Sequence, residues 1–164
     1  MSKIAIIYGT SSGATESVAA KFKKALPTAD VFDVARLSVD KIEGYDFLLL
    51  GASTTGYGDL QSDWEEFLPQ FSNINFAGKK VALFGLGDSS SYADTFCNGI
   101  SEIYKAIKDN AEIVGAVSTD GYTYDASESV VDGKFIGLAL DDDNEFDQTD
   151  ERIANWLEDL KQYI

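Results

Sequence analysis

Apolar runs alternate with amphipathic segments along most of the chain, and this alternation predicts strands followed by helices. Continuous apolar stretches at Ile4–Tyr8, Tyr45–Gly51 and Lys80–Gly85 are typical of strands buried on both faces of a parallel sheet. Weaker strand patterns lie at Val31–Ala35 and from Glu112 to Val117. Apolar residues at helical spacing predict four helices. These residues are Val18, Ala19, Phe22, Ala25 and Leu26; Trp64, Phe67, Leu68 and Phe71; Phe96, Cys97, Ile100, Ile103, Tyr104 and Ile107; and Ile153, Trp156, Leu157, Leu160 and Ile164.

The predicted fold class is α/β. Crossovers between parallel strands are right-handed, so alternating helices cover both faces of the sheet in a three-layer sandwich. Pro27 is expected to end the first helix, and Pro69 argues mildly against the second. Thr149 is the predicted N-cap of the last helix.

The alternation breaks over residues 118–148, where glycines and aromatic residues occur with alternating strand character. A structureless loop of that length is unusual in a compact domain. We therefore predict an insertion with short strands of its own, inside a single domain spanning residues 1–164. The acidic run Asp141–Glu151 is expected to be a solvated face.

Two loops rich in Gly, Ser and Thr follow predicted strands, and both are expected at the edge where parallel sheets bind ligands. Thr10–Thr15 places hydroxyl groups and free backbone amides at the start of a helix, which suits an anion. Gly85–Tyr92 offers the carboxylate of Asp88 and the ring of Tyr92, which suit a flat polar ring. Each loop alone is also compatible with an ordinary turn.

A third loop, Gly51–Gln61, leaves the same edge of the predicted sheet. Gly56 and Gly58 permit a left-handed or flipping peptide there. A single ligand with a phosphate and a flat polar ring, such as FMN, would explain all three loops together.

Composition excludes several classes of function. A formal net charge of −15 argues against nucleic-acid binding and favours either a partner with a basic face or simple solubility. With no histidine and one cysteine, the chain lacks the usual zinc ligands, an internal disulfide and a histidine general base. The sequence shows no signal-peptide pattern and no apolar run near the ~20 residues that span a bilayer, so a cytoplasmic location is expected.

Together these segments resemble the flavodoxins, and the long insertion resembles the long-chain type. The likeness covers essentially the whole chain. It implies a five-stranded parallel sheet of order 2-1-3-4-5 with the insertion in the fifth strand. The segments that carry it are Thr10–Thr15, Gly58–Trp64, Ala82–Tyr92, Ser118–Ser127, Asp132–Asn144 and Thr149–Leu157.

The resemblance implies an electron-transfer protein, without catalytic or metal-binding residues, that uses non-covalently bound FMN. It would carry one electron at low potential through the semiquinone/hydroquinone couple. Tyr92 would stack on the outer ring face, Asp88 would lie at the pyrimidine edge, and the Gly56 carbonyl would turn toward flavin N5–H. The implied cofactor-binding residues are Thr10, Ser11, Ser12, Gly13, Ala14, Thr15, Ser53, Thr54, Thr55, Gly56, Tyr57, Gly58, Gly87, Asp88 and Tyr92.

The chain departs from the family pattern at two positions. Thr55 stands where long-chain flavodoxins usually carry Trp, so the inner ring face is either more open or covered by Tyr57. Ala14 stands where the residue is often basic.

Two other functions remain open from the sequence. A small quinone or azo reductase on the same fold would suit the open inner face, whereas an acidic interaction or phospho-receiver module would need paired acids after the first strand. The sequence there is Gly9-Thr10-Ser11, which speaks against a receiver. For a carrier, the resemblance implies a monomer whose partners are a ferredoxin–NADP reductase-like flavoprotein and photosystem I or another redox protein with a basic face.

Overall fold

A computed structural model describes residues 3–55 and 57–164. The strands are β1 (Ile4–Gly9), β2 (Asp30–Asp33), β3 (Phe47–Thr55), β4 (Asp59–Leu60), β5 (Lys80–Leu86), β6 (Glu112–Val114), β7 (Val117–Ser118), β8 (Val130–Val131), β9 (Lys134–Phe135) and β10 (Leu138–Leu140). The α-helices are α1 (Ala14–Ala25), α2 (Ser62–Phe71), α3 (Gly99–Ile107) and α4 (Phe146–Leu160). Short 3-10 turns lie at Val34–Arg36, Val39–Lys41 and Lys161–Tyr163.

The main sheet is parallel and runs in the order β2-β1-β3-β5, with β6 and β10 both beside β5. Strand β6 pairs with the start of β5, where Lys80 lies opposite Glu112, and β10 pairs with its end, where Leu86 lies opposite Leu140. Two short strands thus fill the fifth place, and the insertion leaves the sheet between them. The predicted fold class, the strand order and the interruption of the fifth strand are confirmed.

Alternate residues of β3 point into two separate cores, as expected for a sheet covered on both faces. Leu49 packs with Phe22 of α1 and Trp156 of α4, whereas Leu48 packs with Trp64 of α2 and with α3. The side chains of Leu48, Leu49, Phe22 and Trp64 are fully buried. The central strands are therefore rigidly held, and their carboxyl ends provide a fixed base for the loops that follow them.

Two element boundaries were predicted wrongly. Helix α4 begins at Phe146 with Glu145 as its N-cap, so Thr149 lies inside the helix. Thr149 is fully buried and its hydroxyl donates to the carboxylate of Asp142. This hydroxyl therefore holds the start of α4 against the preceding loop instead of capping the helix. Helix α3 begins at Gly99, after a run of turns that includes Phe96.

The insertion contains a small antiparallel sheet of order β7-β9-β8. It is tied to α4 by Arg152, whose guanidinium lies 4.0 Å from the centre of the Tyr122 ring. The Nη2 atom of Arg152 donates to the carbonyl of Gly121 at 3.1 Å and to Glu145 at 3.2 Å. The predicted short strands of the insertion are thus present, and they are anchored to the main body.

Candidate functional site

The three loops singled out by sequence line one cleft of about 210 Å³ at the carboxyl ends of β1, β3 and β5. This is the edge at which open α/β sheets bind ligands. The residues that line the cleft are Ser12, Ala14, Ser53, Thr54, Leu86, Gly87, Asp88, Tyr92, Thr95, Asp142 and Asp143.

The first loop is shaped as an anion site. Gly13, the N-cap of α1, has a φ of 93°, and no side chain caps the helix. The first amides of α1 therefore keep no intrahelical acceptor and point into the loop. Thr10 supports this turn, because its Oγ1 accepts from the Gly13 amide at 2.8 Å. The positive end of the α1 dipole adds to the attraction for a negative group.

Two fully buried side chains, those of Thr15 and Gln61, lie next to this loop. The Thr15 side chain is fully buried, yet its hydroxyl has no hydrogen-bond partner within the described residues. Ser11 is exposed, and its Oγ accepts from Nε2 of the buried Gln61 at 3.3 Å. Gly9 permits this approach, since a Cβ there would lie 2.3 Å from Gln61 Oε1. An unpartnered buried hydroxyl is costly, so its presence in an anion-binding loop indicates that a ligand completes it.

In the second loop, Asp88 holds the turn that carries Tyr92. Its Oδ1 accepts from the amides of Ser90 at 3.1 Å and Ser91 at 3.0 Å, and from Asn144 Nδ2 at 2.8 Å. The Ser91 amide and the Asn144 side chain together hold the pKa of Asp88 below its ordinary value. Asp88 thus remains ionised, and one of its oxygens is occupied in shaping the loop.

The third loop is a hairpin, because β3 pairs with β4 in antiparallel register and Thr55 lies opposite Asp59. Gly58 takes a φ of 91°, the left-handed conformation that glycine adopts readily. Tyr57 projects from the tip with 87% of its surface exposed, and its ring meets that of Tyr92. Gly56, for which a turning carbonyl is predicted, lies outside the described residues.

The structure divides the predicted site residues into three groups. Those that line the cleft are Ser12, Ala14, Ser53, Thr54, Gly87, Asp88 and Tyr92. Those that build its first loop without lining it are Thr10, Ser11, Gly13 and Thr15. Those placed at or beyond the hairpin tip are Thr55, Tyr57 and Gly58, and Gly58 instead lines a second groove of about 460 Å³ between α2 and α3.

Four lining residues were missed from the sequence, namely Leu86, Thr95, Asp142 and Asp143. Asp142 and Asp143 follow β10, so the rule that ligands bind at strand ends could have found them. Both belong to the acidic run Asp141–Glu151, which is predicted to be a solvated face, and this prediction is wrong for Asp141. Asp141 is fully buried and accepts from the Ser89 amide at 3.3 Å.

Three aspartates that line the cleft, Asp88, Asp142 and Asp143, place negative charge in it. Burial, followed by the charges of Asp88, Asp141 and Asp142, raises the pKa of Asp143 above its ordinary value. Repulsion among these carboxylates therefore acts on any negative charge that is added inside the cleft.

Two further features bear on function. Every helix of residues 3–55 and 57–164 is too short or too polar to cross a membrane. In the same part of the chain, no three His, Cys, Asp or Glu side chains are grouped as ligands for a metal ion.

Known proteins are similar to this chain in sequence and in fold. A sequence model of the flavodoxin family matches residues 6–156. The chain is 46% identical to a flavodoxin of Helicobacter pylori over 161 residues, which cover 98% of both chains. It is 40% identical to a flavodoxin of Synechocystis over 165 residues, covering 98% of this chain and 97% of the other.

Solved structures extend the likeness to three dimensions. The Fusobacterium nucleatum flavodoxin bound to flavin mononucleotide is 32% identical and superposes with a TM-score of 0.94, covering 100% of this chain and 99% of that one. Flavodoxin 2 of Bacillus cereus, at 27% identity, has a TM-score of 0.75 over 99% of both chains. The relatives are electron carriers, which disfavours the reductase alternative and the receiver module. The chain belongs to the flavodoxin family.

Proposed function

We propose that this protein is an electron carrier that binds one FMN non-covalently in the cleft and passes single electrons between redox proteins. The solved Fusobacterium nucleatum relative is bound to flavin mononucleotide. The observation in this chain that carries the proposal is the buried hydroxyl of Thr15, which has no hydrogen-bond partner among the described residues. It lies at the uncapped start of α1, in the loop that borders the cleft lined by Tyr92.

The phosphate would be held by neutral donors alone, since no Lys or Arg lies within Thr10–Thr15. Hydroxyl groups of Thr10, Ser11, Ser12 and Thr15 would donate to it, together with the amide of Ala14. Gly13, whose amide donates to Thr10 Oγ1, would shape the turn around it. A phosphate bound in this way keeps its full negative charge.

The flavin ring would lie between the second and third loops. Tyr92 would cover its outer face, and the Gly87–Asp88 segment would follow its polar edge. Ser53, Thr54 and Thr55 would lie along its inner face, with Tyr57 and Gly58 at the hairpin that borders it. We keep Gly56 in the proposed set on the family resemblance alone.

The chain's own charges set the direction of the redox behaviour. Bound FMN supplies one-electron redox chemistry. Around it, Asp88, Asp142 and Asp143 line the cleft and oppose added negative charge. One unit charge at ~8 Å and an effective dielectric constant of ~20 costs about 2 kcal/mol, so a few such interactions favour a low reduction potential. The chain has no histidine, and electron transfer of this kind requires no acid or base from the protein.

Partners are expected to present a basic face. Exposed carboxylates surround the hairpin and the start of α2, and the net charge is −15. These groups include Glu16, Asp59, Glu65, Glu66 and Asp125. We propose a ferredoxin–NADP reductase-like flavoprotein as donor and photosystem I or another low-potential redox protein as acceptor, with the carrier acting as a cytoplasmic, single-domain monomer.

A paired titration tests the proposed function. Apoprotein is titrated with FMN and, separately, with riboflavin, which has the same ring and no phosphate. We expect one FMN per chain and riboflavin binding that is weaker by at least tenfold, because the loop of Thr15 recognises the phosphate. Equal affinities would contradict the assignment of this loop, and absence of FMN binding would overturn the proposed function.

A further inference from the structure

The cleft wall after Tyr92 is built from backbone without regular structure. This wall segment, residues 93–98, consists of bends and turns, although it carries Thr95 into the cleft. Backbone amides and carbonyls in such a segment lack the partners that a helix or strand provides. Buried polar groups must nevertheless be paired, so neighbouring parts of the chain have to provide the partners.

The insertion provides them through residues 125–129, which we call the brace segment. The amides of Asp125 and Ala126 both donate to the carbonyl of Ala93, at 2.8 Å and 3.0 Å. In return, the amide of Phe96 donates to the carbonyl of Ala126 at 3.2 Å. The two segments are therefore joined by three main-chain hydrogen bonds.

Two serine side chains of the brace segment add to this pairing. The hydroxyl of Ser127 donates to the carbonyl of Phe96. The hydroxyl of Ser129, a fully buried residue, donates to the carbonyl of Cys97 at 2.6 Å. Each serine thus satisfies a wall-segment carbonyl that no helix or strand engages.

Asn98 joins the brace segment to the third loop. Its Oδ1 accepts from the amide of Glu128 at 2.8 Å, and the residue is 6% exposed. A Cβ on Gly58 would lie 2.9 Å from its Nδ2, so the hairpin packs directly on this amide. The next residue, Gly99, donates its amide to Thr54 Oγ1 at 2.9 Å, and Thr54 lines the cleft.

Aromatic packing closes the same contact. Phe96 is buried, and its ring stacks on that of Tyr124 with 5.7 Å between centroids and 23° between planes. Phe135 of β9 meets it edge-on at 6.0 Å. The insertion thus provides the wall segment with apolar packing partners as well as hydrogen-bond partners.

We infer that the insertion acts as a brace for the cofactor cleft, in which Asn98, Ser127 and Ser129 are positioning residues for the wall segment, which directly follows Tyr92 and carries Thr95. The inference rests on the proposed function, because it explains how the wall segment of the proposed FMN cleft is held in place. These residues act through the wall segment and not by contact with the cofactor. A wall segment that is already ordered before the ligand binds loses less conformational entropy on binding, so the ligand binds more tightly.

The test compares Ser127→Ala and Ser129→Ala with Ser118→Ala. Ser118 is an exposed serine of the insertion whose Oγ accepts from the nearby Asp120 amide at 3.1 Å. Near-ultraviolet circular dichroism shows that each apoprotein is folded. The readouts are the FMN dissociation constant and the residual fluorescence of bound flavin, which a stacked Tyr92 quenches. We expect dissociation constants about fivefold higher and stronger residual fluorescence for the two brace variants, and wild-type values for Ser118→Ala.

Ser127→Thr keeps the hydroxyl at a half-buried position and should restore both readouts. Ser127→Ala also decides the question if Ser129→Ala does not fold. Wild-type constants and fluorescence in folded brace variants would overturn the brace while leaving the proposed function intact. Failure of the wild type itself to bind FMN would overturn both.

Discussion

The ring of Tyr57 meets the ring of Tyr92 edge-on, with centroids 5.8 Å apart and planes at 79°. Tyr57 is 87% exposed and Tyr92 is 38% exposed, so the pair spans the mouth of the cleft between the second and third loops. Only Tyr92 lines the cleft itself. This geometry assigns the main stacking surface to Tyr92 and a bordering position to Tyr57.

Replacing Tyr92 should therefore weaken FMN binding more than replacing Tyr57. Stacking of an aromatic side chain on a base-like ring contributes about 1–3 kcal/mol, so Tyr92→Ala should raise the dissociation constant roughly 5- to 150-fold. Tyr57→Ala should change it by less than about fivefold. Fluorescence titration measures both, and Tyr92→Phe serves as the control that keeps the ring. Equal effects of the two alanine variants would place Tyr57 on the ring face.

The second prediction concerns the inner face. Thr55 is the last residue of β3 and its Oγ1 is 3.4 Å from the carbonyl of Asp59, the acceptor across the hairpin. Thr55→Trp should add an aromatic face and tighten FMN binding by at least fivefold. Thr55→Val, which removes only the hydroxyl, is the matched control. An unchanged or weaker affinity for the tryptophan variant would mean that the hairpin does not face the ring.

Thr15 gives a prediction in which stability and binding move in opposite directions. Its buried hydroxyl has no partner within the described residues, so Thr15→Val should leave the apoprotein as stable or stabilise it by up to about 1 kcal/mol. FMN binding should weaken about tenfold, because the phosphate loses a donor. Urea unfolding and FMN titration measure the two effects.

Thr95→Val is the control for that experiment. Its hydroxyl is also unpartnered among the described residues, but it lies with Tyr92 on the ring side of the cleft. Thr15→Val should weaken FMN and leave riboflavin unchanged, whereas Thr95→Val should affect the two ligands alike. The opposite pattern would mean that the phosphate binds near Thr95 and the flavin ring near Thr15.

Tyr122 predicts how stability depends on pH in the alkaline range. Burial raises its pKa to about 12, and its hydroxyl donates to the carbonyl of Ala139 at 2.7 Å. Between pH ~10 and ~12 the unfolded chain has lost this proton and the folded chain has not. Stability should therefore fall as pH rises, by up to about 1.4 kcal/mol per pH unit from this group.

Tyr122→Phe should remove that share of the pH dependence. Urea unfolding at several pH values in this range measures the slope for both proteins. Tyr45, whose pKa is also raised to about 12 by burial and by its hydrogen bond to Asp30, contributes to the slope that remains. Tyr8 and Cys97, whose pKa values are raised by burial, contribute as well. An identical slope in the wild type and Tyr122→Phe would mean that Tyr122 ionises freely in the folded state.

The sequence predicted those parts of the molecule that depend on local patterns. The apolar runs of β1, β3 and β5 are buried on both faces, which leaves a direct signal in the sequence. The carboxyl ends of these parallel strands lie at one edge of the sheet. The loops of Thr10–Thr15 and Gly85–Tyr92, which follow two of the strands, could therefore be assigned to one site. The start of α1 and the left-handed Gly58 follow from residue types alone.

The remainder depends on contacts that are distant in sequence. Strand β10 has three residues, too few for a periodic signal, and only pairing with β5 defines it. Strand β6 is predicted from Glu112, but it ends at Val114, where its pairing with β5 ends, and not at Val117. Thr149 has the residue type of an N-cap, but the buried contact with Asp142 favours a helix that starts earlier. Asp142 looks like a solvated acid in the sequence, and it is half-buried only because the fold places it in the cleft wall beside Thr149.

The most direct test of the account is stepwise anaerobic reduction of the FMN-loaded protein, followed by absorption spectroscopy. A carrier of single electrons separates the two reduction steps, so we predict a broad band in the red that grows during the first step and fades during the second. Direct bleaching from oxidised to fully reduced flavin, without that band, would contradict the central claim that the protein transfers electrons one at a time.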